Sequence, residues 1–191
     1  MTMTIIATLG AALLVATTVA NAEPASYTIE PLHSSVVFET KHFGTSTIRA
    51  QFRARTGTIT IDPAAGTGAA NIVIDAASVA SGLPKFDENL KSAKFFNVAA
   101  YPDIGFVAID FRFDGDKVAQ IGGNLTIIGK SRPVTLNAIN YNCYKSPLFN
   151  KQVCGGDFVA TVKRSEWDLN IGIPFTSDET KLLIQIEATH N

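Results

Sequence analysis

The chain has 191 residues, 46% of them hydrophobic, and a formal net charge of −1. A balance so near neutrality excludes the basic excess that a nucleic-acid-binding surface needs. Two cysteines and three histidines leave little material for a metal centre.

Ile5 to Val19 is an uncharged apolar run that ends in Ala20-Asn21-Ala22. A short apolar stretch closed by an A-x-A site reads as an export signal, so residues 1–22 are expected to be removed and residues 23–191 to form the mature domain. Met1–Thr4 contains no Lys or Arg, which leaves an uncleaved anchor as the alternative. About 170 residues remain, enough for one domain with a sizeable core and hardly for two.

From Tyr27 onward the dominant period is two. Val36 and Phe38 alternate with polar residues in Ser34–His42, and that face continues to Thr40 and His42. Ile48, Ala50, Phe52 and Ala54 then share a face opposite Arg49, Gln51, Arg53 and Arg55, as in a strand with one solvated side. Gly57 shifts the phase, and Ile59 and Ile61 become the apolar set; an isolated glycine in a strand suggests a bulge or bend. Asp62-Pro63 and Gly66-Thr67-Gly68 mark a turn before Ala70–Ala76.

One helical pattern interrupts the strands. Phe86, Leu90, Ala93 and Asn97 fall near one face at helical spacing, with Asp87 as the expected N-cap. Pro102 ends the excursion and leads into Ile104–Phe113, whose phase slips between Ala108 and Ile109. Asp114-Gly115-Asp116 is a hairpin turn. Strands follow at Val118–Ile127 and Val134–Asn142, then the cysteine loop, a strand through Phe158, Ala160 and Val162, and a last strand Lys181–His190. Pro174 argues against a central strand in Trp167–Phe175.

The fold class is therefore all-β, an antiparallel barrel of about eight strands with a short helix in one connection; a sandwich is the alternative. A barrel of that size is just wide enough to hold one slender ligand. Cys143 and Cys154 face each other across a short loop, a pattern that points to a disulfide in an exported protein. The sequence has no G-x-S-x-G elbow, Walker loop, H-E-x-x-H or C-x-x-C-H motif. The period places two polar groups on apolar faces: His42 with Phe38, and Arg164 with Phe158 and Val162. Either they meet a ligand's polar head, or Arg164 binds a carboxylate or carbonyl at the barrel end, or either group reaches the rim and is solvated.

Several short stretches occur in an order that resembles the YceI-like family of exported lipid-binding proteins. They are His33-Ser34 leading to Phe38 and His42, Asn89-Leu90-Lys91-Ser92, Phe95-Phe96-Asn97-Val98 and Tyr101-Pro102-Asp103-Ile104-Gly105-Phe106. Gly123-Asn124-Leu125-Thr126 through Gly129, Pro133-Val134 and Lys163-Arg164-Ser165 extend the resemblance. Ala50 departs from it, standing where the family usually has Gly, as does Trp167-Asp168, where an aromatic-Gly pair is common. The resemblance implies a lipocalin-like antiparallel barrel enclosing a polyisoprenoid lipid, such as a quinone or its precursor, in the periplasm. It implies no enzymatic activity and no cofactor beyond the bound lipid.

The expected ligand-binding residues are Phe38, His42, Phe52, Phe86, Leu90, Phe95, Phe106, Phe158 and Arg164. Expected partners are the lipid and, transiently, the membrane or a membrane quinone enzyme; a homodimer is open, and nucleic acid is not expected. Two other classes compete. One is an enzyme acting on an isoprenoid with His42 or His33 as general base; the other is a protein-interaction module with a filled core.

Overall fold

The computed structural model describes residues 24–148 and 150–191, so the expected leader lies outside the described residues. Nine strands form one antiparallel meander: β1 (Ala25–Ile29), β2 (Ser35–His42), β3 (Ser46–Asp62), β4 (Thr67–Ala80), β5 (Asp103–Asp114), β6 (Lys117–Ile127), β7 (Lys130–Lys145), β8 (Gln152–Lys163) and β9 (Thr176–His190). Each of β2 to β8 pairs with the next strand, and β9 returns to pair with both β2 and β1. The sheet is a closed eight-stranded barrel because β1 and β2 occupy a single stave.

That stave is broken by a 3-10 turn at Pro31–His33. The Glu30 carboxylate accepts from the Leu32 and His33 amides at 3.1 and 3.0 Å, and Glu30 N–H donates to the Glu187 carbonyl at 2.8 Å. Buried Ser34 then bonds the Glu187 backbone through its hydroxyl, donating to the carbonyl at 3.2 Å and accepting from the amide at 3.1 Å. Ser34 thus stitches the break to β9. The neighbouring His33 ring turns to the Glu30 carboxylate.

The alternation of the sequence is the barrel's inside and outside. Arg49 and Arg55 face water and pair with Glu39 and Asp103. Ala50, Phe52 and Ala54 are buried on the opposite face of β3. β3 and β4 slip register between Ala54 and Thr56, next to the expected phase shift, and Gly57 lies against β4. A Cβ there would stand 2.6 Å from Ile72 Cδ1. The expected bulge in β5 is also present, between Ala108 and Asp110. β4 runs further than its sequence pattern indicated because it contains a bulge, in which Ser78 Oγ accepts from the Arg53 amide at 2.8 Å.

Helix α1 spans Pro84–Lys91, earlier than expected, and Asp87 is not its N-cap. Proline at the first turn is already set for a helix, and the Asp87 amide is committed to the Leu83 carbonyl at 3.0 Å. The Asp87 carboxylate instead reaches back to Ser81, accepting from its amide at 2.7 Å and its hydroxyl at 2.5 Å. Ala93 and Asn97 lie beyond the helix in turns that fold Phe95 and Phe96 back against the barrel. α1, the Phe43 turn, the β6–β7 turn and the β8–β9 connection all sit at one end of the barrel.

At the other end, Cys143 and Cys154 are register partners in β7 and β8 and form the disulfide. Closing so short a loop removes on the order of 2–3 kcal/mol of unfolded-state freedom. Replacing both cysteines by alanine is expected to lower stability by that amount, with Tm falling roughly 5–10 °C and the far-ultraviolet β spectrum unchanged. Scanning calorimetry on the oxidised and double-variant proteins measures it.

Candidate functional site

The barrel encloses a cavity of about 290 Å3 that runs from beneath α1 toward the disulfide end. It is near the lower end of the range for small-molecule sites, ~300–1,000 Å3. Its walls are mostly hydrocarbon because the inward positions of eight staves converge there. β2 and β9 give Val36, Phe38, Leu182 and Ile184, β4 gives Ile72 and Ile74, and β5 gives Ile104 and Phe106.

Eight of the nine expected ligand-binding residues reach this cavity: Phe38, Phe52, Phe86, Leu90, Phe95, Phe106, Phe158 and Arg164. Phe38 and Phe52 meet Phe96 in a triad, with the Phe52 and Phe96 rings edge-on at 4.9 Å. Phe86 and Leu90 descend from α1, one helical turn apart, and cover that end.

His42 does not line the cavity. The pairing of β2 with β9 is irregular between Thr40 and His42, and this turns the imidazole outward, where it packs edge-on against Phe43 at 4.8 Å. Thr40, one step before the irregularity, remains inside and shares a 3.1 Å hydrogen bond with Thr180.

Arg164 follows β8 in a 3-10 turn, Arg164–Trp167, and is only 9% exposed. Its guanidinium is occupied by backbone carbonyls of the β8–β9 connection. Nε donates to Ser177 at 2.9 Å, Nη1 to Leu169 and Ile171, and Nη2 to Thr176 at 3.0 Å. Burial lowers its pKa, and the Asp178 carboxylate opposes that effect. Although burial works against the Asp178 charge, hydrogen bonds from the Ser165 hydroxyl and amide hold its carboxyl below the usual range. The group expected to meet a head group or a carbonyl thus spends its donors holding a loop.

That loop carries the cavity's outlet. Ile171 and Gly172 line the cavity, yet Ile171 is 46% exposed. Beside it Phe43 and Phe175 stack at 5.2 Å, their backbones joined by a 2.6 Å hydrogen bond. Both rings are about 60% exposed (62% and 61%), as is Leu83 at the start of α1 (65%). Trp167, just below, is 1% exposed and donates its indole N–H to the Leu125 carbonyl at 3.2 Å. It therefore packs beneath the mouth without forming its rim.

Sequence reasoning missed Tyr27, Tyr141 and Trp167 as cavity residues. In β7, Val134, Leu136 and Ala138 point inward, and continued alternation would next bring in Asn140. A register shift between Ala138 and Asn140 brings in Tyr141 instead. Burial pushes the Tyr141 phenol up to about 12, helped by the neighbouring Tyr27 and Asp116. Among the described residues, no group of three His, Cys, Asp or Glu side chains is placed to hold a metal.

The family profile described as a YceI-like domain matches residues 27–188. Protein YceI of Salmonella arizonae is 31% identical over 175 residues, covering 89% of this chain and 90% of its own. Among solved structures, BcnA of Burkholderia cenocepacia superposes with a TM-score of 0.67 at 24% identity, covering 84% of this chain and 99% of its own. A polyisoprenoid binding domain from Saccharophagus degradans, implicated in plant cell wall breakdown, superposes with a TM-score of 0.58 at 12% identity. It covers 87% of this chain and 99% of its own. These two structures share the fold.

The Arg164 clasp has a direct test. Lysine keeps the charge but cannot reach several carbonyls in one plane, so Arg164→Lys strands buried acceptors and is expected to cost roughly 2–4 kcal/mol. Urea denaturation measures the loss, and hydrogen exchange is expected to accelerate first in residues 169–177.

Proposed function

The chain belongs to the YceI-like family, and we propose that it is an exported, non-enzymatic carrier that holds an amphiphilic polyisoprenoid in its lumen. The observation that carries this reading is the apolar cavity, enclosed by β-strands and capped by phenylalanines. Each buried hydrocarbon carbon returns about 0.8 kcal/mol, so two or three five-carbon units offset an association cost of about 4–15 kcal/mol. The structural likeness to the Saccharophagus degradans domain supports the ligand class. The apolar leader ending in Ala20-Asn21-Ala22 supports export to the periplasm. Non-enzymatic binding fits the placement of His42 and His33, both outside the cavity lining.

A bilayer offers an isoprenoid nearly the same burial, so binding remains close to balance with the membrane and exchange is feasible. The exposed Phe43 and Phe175 near Ile171, with Leu83 exposed at the same end of the barrel, suit a transient contact with lipid, through which a tail leaves without crossing water.

The test is native mass spectrometry of the protein purified from its own periplasm, followed by lipid extraction. A bound mass with a polyprenyl chain is the expected result. An empty protein that also ignores added quinones, read by quenching of the single tryptophan, Trp167, overturns the proposal. Ala54→Phe, which places a ring in the lumen, is expected to release lipid from a barrel that still folds. For the rim, Phe43→Ser with Phe175→Ser is expected to slow lipid transfer to vesicles about tenfold while leaving affinity unchanged.

A further inference from the structure

Building on the carrier reading, we infer that the disulfide end of the cavity is a head-group site. There, Tyr141 donates to a neutral oxygen acceptor, such as a ring carbonyl, with Tyr27 beside it, and the site disfavours an anionic head. The ligand then enters head first, with its tail running past the phenylalanine triad toward the outlet beside Ile171.

The polar groups of the lining differ between the two ends of the cavity. At the α1 end Thr40 and Thr180 share one hydrogen bond, and Arg164 is spent on backbone carbonyls. At the opposite end, Tyr27 from β1 and Tyr141 from β7 both line the cavity. Their hydroxyls flank one disulfide, Tyr27 Oη 3.5 Å from Cys154 Sγ and Tyr141 Oη 3.6 Å from Cys143 Sγ. Tyr27 has a good acceptor for its proton, Gln152 Oε1 at 3.0 Å, and keeps a lone pair open. Tyr141 does not. Among the described residues its hydroxyl meets only a disulfide sulfur, a weak acceptor, so its proton is available to a ligand oxygen.

The charge around this floor selects the kind of oxygen. The charged group acting on Tyr141 is the carboxylate of Asp116 in the β5–β6 turn. A diphosphate would bring further negative charge to an end of the cavity where, among the described residues, no Lys or Arg lines the wall, at a high desolvation cost. A carbonyl needs only one donor and costs far less to bury.

The test uses the delipidated mature protein and three probes of equal chain length: a prenylated benzoquinone, the matching prenyl hydrocarbon and the prenyl diphosphate. Competition is read by native mass spectrometry. The unaltered protein is expected to prefer the quinone over both others. Tyr141→Phe, which keeps the ring and removes the hydroxyl, is expected to lower quinone affinity five- to tenfold and leave the hydrocarbon unchanged. A quinone preference that survives Tyr141→Phe, or a diphosphate that binds tightest, overturns the head-group site while the carrier reading stands. Failure of all three probes to bind overturns the carrier reading itself. Should Tyr141→Phe not fold, the infrared carbonyl band of the quinone bound to the unaltered protein decides. A shift to lower frequency supports the site, and an unshifted band overturns it.

Discussion

A closed sheet of eight staves fixes the diameter of its interior before any side chain is chosen. The residues that point inward here are too small to fill it everywhere. Ala50, Ala54, Ala70, Ala108 and Ala160 are all buried and take the place of larger residues that would pack a solid core. Gly123 lies close against β5, where a Cβ would stand 2.6 Å from the Val107 carbonyl. The lumen is therefore a volume deficit written into the inward positions, and the aromatic residues are concentrated at its ends. An empty apolar space of this kind forfeits dispersion contacts along its walls, which a hydrocarbon ligand restores.

The two ends of the deficit are built differently. Under α1 the chain departs from sheet geometry. A helix, a run of turns and a loop clasped by Arg164 converge there, and the connections that cover the cavity are the ones least tied to the ladder. The opposite end carries the β3–β4, β5–β6 and β7–β8 connections, the β1 segment and the Cys143–Cys154 cross-link. The barrel is thus held by strand pairing and a cross-link at its base and by loops at its mouth, the distribution expected when ligand exchange uses one end.

Most of the barrel was legible in the sequence because the side-chain period of a strand is two and burial enforces it. The slip at Ala108 announced itself, since two apolar residues fall together there. The irregularities at Thr40–His42 and at Ala138–Asn140 did not. In each, the flanking residues continue a plausible alternation, and only the partner strand reveals that the phase has changed. His42 was thereby placed inside and Tyr141 overlooked. Arg164 shows another limit. Its position beside apolar residues was readable, but its carbonyl partners belong to a loop whose path no local pattern specifies. The start of α1 failed for a local reason, because two signals competed and the proline prevailed over the aspartate.

The ladder between β2 and β9 joins segments that lie about as far apart as the chain permits; Thr40 and Thr180, bonded across it, are 140 positions apart. A meander can add staves one after another as it emerges, but this seam needs the final 15-residue strand. Until then the growing sheet has two open edges and an unroofed apolar face. The lumen is consequently a property of the finished chain alone. A ligand of the lumen has nowhere to sit until the seam closes.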